Sequence, residues 1–218
     1  MADPDSRSGR RYADRELLRY VERVHCTSES ELDRAFEAPE LHAIPAIQLG
    51  KSEAAMVGLL IRLLRGPRVV EIGTLAGYSA LHIARALPDE GRLWTLESDP
   101  RHARIARENL QEAGMGAKVD VVLGPALETL PGLAARAGPF DAVLIDADKE
   151  AYPDYGRWAS ANLRSGGLLI ADNVYYFGEL LADTPGAAAM RRFHEEAARN
   201  FDTVCVPTPD GMLLGLKR

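Results

Sequence analysis

The chain has 218 residues, of which 46% are hydrophobic and 27% charged, and its formal net charge is -6. Such a chain is typical of a globular protein that buries about 70% of its unfolded surface. The acidic balance argues against nucleic acid and anionic membranes as partners, because both attract clustered cations. No apolar stretch reaches the roughly 18 residues of a membrane span and no signal peptide is recognisable, so we expect a cytoplasmic protein. Cys26 and Cys205 form no CxxC pair and predict reduced, buried thiols.

The first part of the chain is predicted to be helical. Three helices are expected before the first strand, over residues 12–25, 28–36 and 52–64. Pro39 and Pro45 are expected to break the chain between the second and third of them. We treat residues 1–50 as a helical lid on residues 51–218 within a single domain, and we expect residues 1–9 to be disordered.

Beyond residue 65, short apolar runs alternate with amphipathic stretches, the pattern of βαβ units around a parallel sheet. Five runs are apolar enough to be covered on both faces, and they lie at residues 68–72, 92–96, 118–123, 140–145 and 167–171. The clearest helix covers residues 100–113, with Asp99 as its N-cap and Gly114 at its end. Two further β-like runs, 203–206 and 212–217, are too close for a crossover helix and predict an antiparallel hairpin at the sheet edge. The sequence therefore predicts a doubly wound α/β fold.

A glycine-bearing turn follows the first strand. Its sequence is EIGTLAGYS, residues 71–79, and such a strand-to-helix turn lets the backbone approach a ligand closely. The dinucleotide fingerprint G-x-G-x-x-G requires a glycine where this chain has Leu75, which argues against an NAD-dependent oxidoreductase. Glu97 ends the second strand, where an acidic residue commonly binds two ribose hydroxyls; a capping carboxylate is the alternative interpretation.

Polar residues follow the fourth and fifth strands, as Asp146, Asp148 and Lys149 and as Asp172 and Asn173. Because open α/β sheets bind ligands at their carboxyl edge, we expect the two groups to converge. Two carboxylates and an amide oxygen suit Mg²⁺, although either acid taken alone could be a loop cap. Lys149 is one of only four lysines, and beside a divalent cation its ammonium would lose a proton more readily, as a general base requires. A solvated loop lysine is the alternative, and the histidines show no metal-ligand spacing.

These segments resemble the cation-dependent class I S-adenosylmethionine O-methyltransferases, the caffeoyl-coenzyme A and catechol O-methyltransferase group. The resemblance covers about residues 40–218 and rests on VVEIGTLAGYSAL, GPALETLP, FDAVLIDADKEAY and GGLLIADNV. It implies a seven-stranded, mostly parallel, Rossmann-like sheet that contains the C-terminal hairpin inferred above. Because such enzymes are commonly homodimers, it also implies a homodimer.

The resemblance assigns roles by position. It implies cofactor contacts at Leu49, Glu71, Gly73, Thr74, Ser79, Glu97, Ala126, Asp146 and Asp148. It implies a site for Mg²⁺, or else Mn²⁺ or Ca²⁺, at Asp146, Asp172 and Asn173. Lys149 is the expected catalytic base, with Asp146 as the second catalytic residue. Expected acceptor contacts are Lys149, Asn173, Tyr175, Tyr176 and Phe177, although the three aromatic residues could instead pack against the sheet.

The expected reaction is methyl transfer from S-adenosylmethionine to one hydroxyl of a vicinal dihydroxyphenyl compound. After Asp172 and Asn173 the family often has leucine and tryptophan, whereas this chain has Val174 and three aromatic residues, so the acceptor stays open. An acyl-coenzyme A ester is the alternative acceptor, and it would need cations for its phosphates. Candidate cations near the amino terminus are Arg7, Arg10, Arg11, Arg15 and Arg19. A non-catalytic sensor of the cofactor is a further alternative, but it has no need for the complete set of polar residues at the sheet edge.

Overall fold

The computed structural model describes residues 14–26 and 29–218. Its helices are α1 (Arg15–His25), α2 (Ser30–Leu41), α3 (Lys51–Leu64), α4 (Tyr78–Ala86), α5 (Pro100–Glu112), α6 (Ala126–Ala137), α7 (Tyr152–Asn162) and α8 (Pro185–Asn200). Its strands are β1 (Arg68–Ile72), β2 (Arg92–Glu97), β3 (Val119–Leu123), β4 (Phe140–Ile145), β5 (Leu163–Ala171), β6 (Phe201–Val206) and β7 (Met212–Lys217). Short 3₁₀ turns lie at Lys149–Ala151 and Tyr176–Gly178.

The strands form one seven-stranded sheet in the order β3-β2-β1-β4-β5-β7-β6. Strands β1 to β5 pair in parallel, and β7 is antiparallel to both β5 and β6. From β1 the chain proceeds first to β2 and β3 on one side and then to β4 and β5 on the other. The point between β1 and β4 is therefore the topological switch point, beside which open α/β sheets bind their ligands. The predicted fold class, with its antiparallel C-terminal hairpin, is confirmed.

Helices cover both faces of the sheet because the central strands are apolar on both sides. Val69 and Leu144 belong to the core shared with α2, α3, α4 and α5. Val70 and Val143 belong to the core shared with α6, α7 and α8. Strand β4 is buried along its whole length. The residues that follow the central strands are consequently held on a rigid base.

The predicted element boundaries differ from the structure by a few residues. Strand β5 begins at Leu163 rather than at residue 167, because Leu163 pairs with Phe140 across a register shift. Asp99 caps α5 as predicted, since its carboxylate accepts from the backbone N–H groups of Arg101 at 2.7 Å and His102 at 3.2 Å. These differences leave the carboxyl edge of the sheet where the sequence predicts it.

The prediction that Pro39 breaks the chain is wrong. Pro39 lies inside α2, which continues to Leu41. The proline is buried in the last turn of the helix, where packing of its ring offsets the loss of one backbone hydrogen bond. The predicted helix start at residue 12 and the predicted disorder of residues 1–9 lie outside the described residues, and the division at residue 50 stays a prediction. Among the described helices, none has the length and apolar character needed to cross a bilayer.

Candidate active site

The carboxyl edge of the sheet is built from residues that directly follow the parallel strands. The backbone N–H groups of Gly73, Asp146 and Asp172 each donate to a carbonyl at the last or next-to-last residue of a neighbouring strand, at 3.0, 2.9 and 3.0 Å. These bonds continue the sheet one residue past each strand. The side chains of the predicted site are therefore fixed relative to one another by backbone hydrogen bonds.

The glycine turn leaves no room for a side chain at its first glycine, Gly73. Gly73 has a φ of +101°, and a Cβ added there would lie 1.9 Å from the carbonyl oxygen of Asp146. Leu75 also has a positive φ, 50°, and its N–H donates to the Glu97 carboxylate at 2.8 Å. The buried amide of Asn109 donates to the Ala76 carbonyl at 2.9 Å. The turn is thus held from β2 and from α5.

Both oxygens of the Glu97 carboxylate accept backbone hydrogen bonds. Oε2 accepts from Leu75, and Oε1 accepts from Asp99 at 2.9 Å. The Glu97 side chain is only 10% exposed, yet it lines the cavity described below. The carboxylate therefore caps the turn, as one interpretation of the sequence has it, and also faces the cavity, while its binding to ribose hydroxyls stays a prediction.

Glu71 is fully buried beneath the glycine turn. The Thr95 hydroxyl donates to its Oε2 at 2.5 Å, and the Thr74 hydroxyl lies 2.6 Å from that of Thr95. Burial raises the pKa of Glu71 to about 7, although hydrogen bonds from Ser79 and Thr95 act in the opposite direction. A cation bound nearby would favour the charged form of this carboxylate.

Lys149 lies where the ends of β4 and β5 meet. Its Nζ donates to Asp146 Oδ1 at 3.0 Å and to the Tyr152 hydroxyl, also at 3.0 Å. Tyr152 is completely buried, and its hydroxyl donates to the Asp172 carbonyl at 2.9 Å. The ammonium group is therefore held by one carboxylate and by one hydroxyl that is itself fixed in the core.

The Asp172 carboxylate is buried and incompletely hydrogen-bonded. Only 4% of the residue is exposed, and its Oδ1 has no hydrogen-bond partner among the described residues. Burial, together with the negative charges of Asp146 and Glu53, raises the pKa of Asp172 to about 7. This end of the site therefore concentrates negative charge that a bound cation would stabilise.

A cavity of about 920 Å³ lies over this edge. The predicted site residues that line it are Leu49, Gly73, Thr74, Ser79, Glu97, Ala126, Asp146, Asp148, Lys149, Asn173 and Phe177. Glu71 and Asp172 do not line it and are buried. The Asp148 carboxylate accepts from the Tyr155 hydroxyl at 2.6 Å. One cavity thus brings together most residues of the predicted cofactor, metal and acceptor sites.

The three aromatic residues after Val174 separate in the structure. Phe177 lines the cavity and is 66% exposed. Tyr175 packs on Gly211, where an added Cβ would lie 2.6 Å from its ring, and the Tyr176 hydroxyl packs on Gly186 at the start of α8. Both tyrosines contact the core shared with α8. The structure therefore brings only Phe177 to the cavity, because the two tyrosines are drawn into packing against the hairpin turn and α8.

The family of the chain follows from comparison with known proteins. Residues 26–218 match the family model described as O-methyltransferase. The chain belongs to this O-methyltransferase family.

Relatives and solved structures agree with the family model. A catechol O-methyltransferase from Niastella koreensis is 40% identical over 184 residues, which cover 79% of this chain and 83% of the relative. A catechol O-methyltransferase from Mycobacterium tuberculosis is 43% identical over 159 residues, which cover 73% of this chain and 71% of the relative. The structure of the O-methyltransferase TomG from Streptomyces achromogenes, in complex with SAM, matches with a TM-score of 0.86 at 32% identity, over 93% of this chain and 96% of that chain. The predicted class, an S-adenosylmethionine-dependent O-methyltransferase, is confirmed.

The cavity of this O-methyltransferase includes residues that the sequence did not single out. Ile47 and Leu127 form exposed apolar parts of its wall, and Tyr155 lines it beside the acidic residues. His102, which the sequence left without a role, lies with its Nδ1 3.8 Å from Glu97 Oε1. The sequence could have indicated that His102 lies near Glu97, because His102 occupies the first turn of the helix that follows Glu97. No pattern in the sequence marks Ile47 or Tyr155, because tertiary packing alone brings them to the cavity.

Proposed function

We propose that this chain is a Mg²⁺-dependent O-methyltransferase that methylates one hydroxyl of a catechol-type small molecule. The observation that carries the proposal is the contact of Lys149 with Asp146 beside the buried Asp172, in the same cavity as the glycine turn. Such a reaction needs a methyl donor, a hydroxyl acceptor and a base within one pocket. The relatives named catechol O-methyltransferase support the same class of acceptor.

The glycine-turn end suits the cationic methyl donor. Glu71 is buried close beneath the turn, where no cation of the described residues acts on it, so the positive charge of S-adenosylmethionine would stabilise its ionised form. Glu97 faces the cavity with a carboxylate that can accept hydrogen bonds from ribose hydroxyls. Ala126, at the start of α6, and Leu49 both line the cavity, so we assign Ala126 to a contact with the adenine and Leu49 to closing over the cofactor.

The acidic end fits a divalent cation. Asp172 has a buried carboxylate oxygen to which no described residue donates, and with Asp146 and Asn173 it supplies two carboxylates and one amide. Hard cations such as Mg²⁺, Mn²⁺ and Ca²⁺ take such oxygen ligands. Within residues 14–26 and 29–218, no three His, Cys, Asp or Glu side chains form a metal-holding group, and the proposed set differs from such a group because its third member is an asparagine. A bound cation would supply Lewis-acid stabilisation of negative charge on the acceptor oxygen.

Side chains of the protein carry out the other parts of the reaction. As a neutral amine, Lys149 takes the proton of the acceptor hydroxyl while the oxygen forms its bond to the methyl carbon and the bond from that carbon to sulfur breaks. Asp146 and Tyr152 hold the Lys149 side chain in position. Phe177 packs on the acceptor ring and excludes water. Holding donor and acceptor together can account for about 7 to 11 kcal/mol of the barrier.

We favour a free catechol or a larger polyphenol over an acyl-coenzyme A ester. Among the described residues that line the cavity, Lys149 is the one lysine or arginine, so the phosphates of coenzyme A would find no track of cations there. Of the arginines considered from the sequence, Arg7, Arg10 and Arg11 lie outside the described residues. A flat phenolic ring needs no such track.

A panel of catechols, flavonoids and acyl-coenzyme A esters, assayed with Mg²⁺ and then with excess chelator, tests the proposal. We expect methylation of catechols that chelator abolishes reversibly, and Asp146→Ala or Asp172→Ala should abolish it in a folded protein. Undiminished methylation in chelator would reject the metal site. A preference of more than about tenfold in kcat/KM for caffeoyl-coenzyme A over caffeic acid would reject the acceptor assignment. Turnover of any catechol would dismiss a non-catalytic sensor.

We also propose a cytoplasmic homodimer. Cys26 and Cys205 are free thiols, half-buried rather than buried as predicted, and reducing compartments keep thiols in this state. Helix α1 exposes apolar side chains such as Leu18 and Val24, which supports association of copies. Light scattering at micromolar concentration should give the mass of two chains, and a monomer under these conditions would contradict the proposal.

A further inference from the structure

The segment that connects β5 to α8 begins with an irregular loop, residues 173–178, which we call the acceptor loop. Asn173, Tyr176 and Phe177 have φ angles of 55°, 53° and 54°. Large side chains rarely adopt this left-handed conformation, and it persists only where surrounding contacts hold it. The contacts that hold the acceptor loop therefore decide where its side chains lie.

The turn between β6 and β7 provides those contacts. The Val174 N–H donates to the Gly211 carbonyl at 3.1 Å, and the Tyr175 N–H donates to the Asp210 carbonyl at 2.9 Å. The Phe177 N–H donates to both oxygens of the Asp210 carboxylate, at 2.9 and 3.2 Å. One aspartate thus binds the acceptor loop through its backbone and through its side chain.

The Asp210 carboxylate lies close to the proposed active site without lining the cavity. Burial raises the pKa of Asp210, whereas the Phe177 N–H, the Asn173 amide and the Lys149 ammonium favour its charged form. His194, on α8, holds the loop from the other side, with its Nε2 2.8 Å from the Val174 carbonyl oxygen. Among these contacts, the one that binds the backbone of Phe177, which lines the cavity, is made by the Asp210 carboxylate.

We propose that Asp210 is a positioning residue for the acceptor, because its carboxylate fixes the acceptor loop so that Phe177 and Asn173 border the cavity. The inference rests on the proposed function, since it concerns the acceptor of that reaction. Without this carboxylate the Phe177 N–H loses its partner, and the loop relaxes toward ordinary φ angles. The glycine turn makes none of these contacts, so cofactor binding should not change.

Hydrogen exchange tests the contact without any assay of activity. In Asp210→Ala, amides of the acceptor loop should exchange at least about tenfold faster than in the wild type. Asp210→Asn keeps one acceptor oxygen and should give an intermediate rate. Asp202→Ala is the matched control, because Asp202 lies on the same hairpin and its exposed carboxylate pairs with Arg218 at 2.8 Å. Wild-type protection of the loop in Asp210→Ala would overturn the proposal.

Kinetics separate positioning from a merely structural role. For an unsymmetrical catechol such as caffeic acid, Asp210→Ala should raise the acceptor KM by about tenfold and change the ratio of the two methylated isomers. Affinity for S-adenosylhomocysteine should stay within about twofold, and Asp210→Asn should restore part of the isomer ratio. Faster exchange with wild-type KM and isomer ratio would show that the proposal is wrong. A wild-type enzyme that methylates no catechol would contradict the proposed function instead, and the exchange rates would still decide whether Asp210 holds the loop.

Discussion

At the glycine-turn end of the cavity the backbone packs with no room to spare, whereas at the acceptor end side-chain hydrogen bonds hold the groups that line the cavity. At the first end, Gly73 packs against the Asp146 carbonyl with no room for a Cβ. At the second end, Lys149 is held by Asp146 and Tyr152, and the Phe177 N–H by the Asp210 carboxylate. Substitutions at the glycine turn should therefore damage folding and cofactor binding together. Substitutions at the acceptor end should change the chemistry of a protein that still folds.

Lys149→Met tests the acceptor end and has the largest expected effect. Loss of the base should lower kcat by about 10² to 10⁴, with cofactor affinity and melting temperature near those of the wild type. Lys149→Arg should not restore activity, because a guanidinium does not release its proton in the working range. Lys118→Met is the control, since Lys118 is half-buried and donates to the Leu87 carbonyl outside the cavity. An active arginine variant would show that Lys149 only orients the acceptor.

Gly73→Ala tests the glycine turn. A Cβ 1.9 Å from a backbone oxygen cannot be accommodated without shifting β4, so urea denaturation should show a loss of about 3 kcal/mol or more in the free energy of unfolding. Gly114→Ala is the matched control, because Gly114 also has a positive φ but nothing lies within 4 Å of its added Cβ. We expect the control to lose about 1 kcal/mol. Equal losses in the two variants would mean that the turn is not packed as described.

Glu71→Gln tests the buried charge beneath the turn. The pKa of Glu71 rises from 4.5 to about 7 on folding, so the folded protein holds this proton more tightly than the unfolded chain does. Its contribution to stability is complete below about pH 4.5 and is lost as the pH rises to about 7, a change of up to about 3 kcal/mol. Relative to the wild type, the variant should gain stability between about pH 5 and about pH 8. Asp172 is present in both proteins, so its titration cancels when the two free energies of unfolding are subtracted. A difference in the free energy of unfolding that does not change with pH would contradict the raised pKa of Glu71.

Glu97→Ala has the smallest expected effect. The variant loses the observed bond from the Leu75 N–H and the charge-assisted bonds proposed from ribose hydroxyls, so calorimetry with S-adenosylhomocysteine should show binding about 10- to 100-fold weaker. Glu128→Ala is the control, because Glu128 also lines the cavity but is exposed. Unchanged affinity in Glu97→Ala would mean that this carboxylate only caps the turn.

The sheet and the convergence of polar residues at its carboxyl edge could be predicted because their signals are local. The central strands are mostly apolar, and most polar residues of the site lie at the end of a strand, as Glu71 and Glu97 do, or just after one. Asp146 and Asp172 follow Ile145 and Ala171, which are paired in the sheet, so their convergence depends only on strand order. Pro39 was predicted incorrectly because burial of its ring, which a sequence does not display, outweighs its local preference.

The acceptor half could be predicted only in part, because its conformation depends on residues distant in the chain. Three aromatic residues follow one another at Tyr175, Tyr176 and Phe177, and the sequence does not show which of them reaches the cavity. Contacts with Asp210, Gly211 and α8 determine that two of them pack inward and that one reaches the cavity. No spacing rule connects an aspartate of the hairpin turn with a loop on the other side of helix α8.

The packing of the Tyr175 ring on Gly211 has a consequence for enzyme engineering. An added Cβ at Gly211 would lie within 2.6 Å of that ring, so the turn and the loop are shaped to fit each other. If residues 173–178 were replaced by the loop of a relative, the new side chain at position 175 would pack against a turn whose shape fits tyrosine. Acceptor preference should therefore be transferred between relatives only when residues 173–178 and 207–211 are exchanged as a pair.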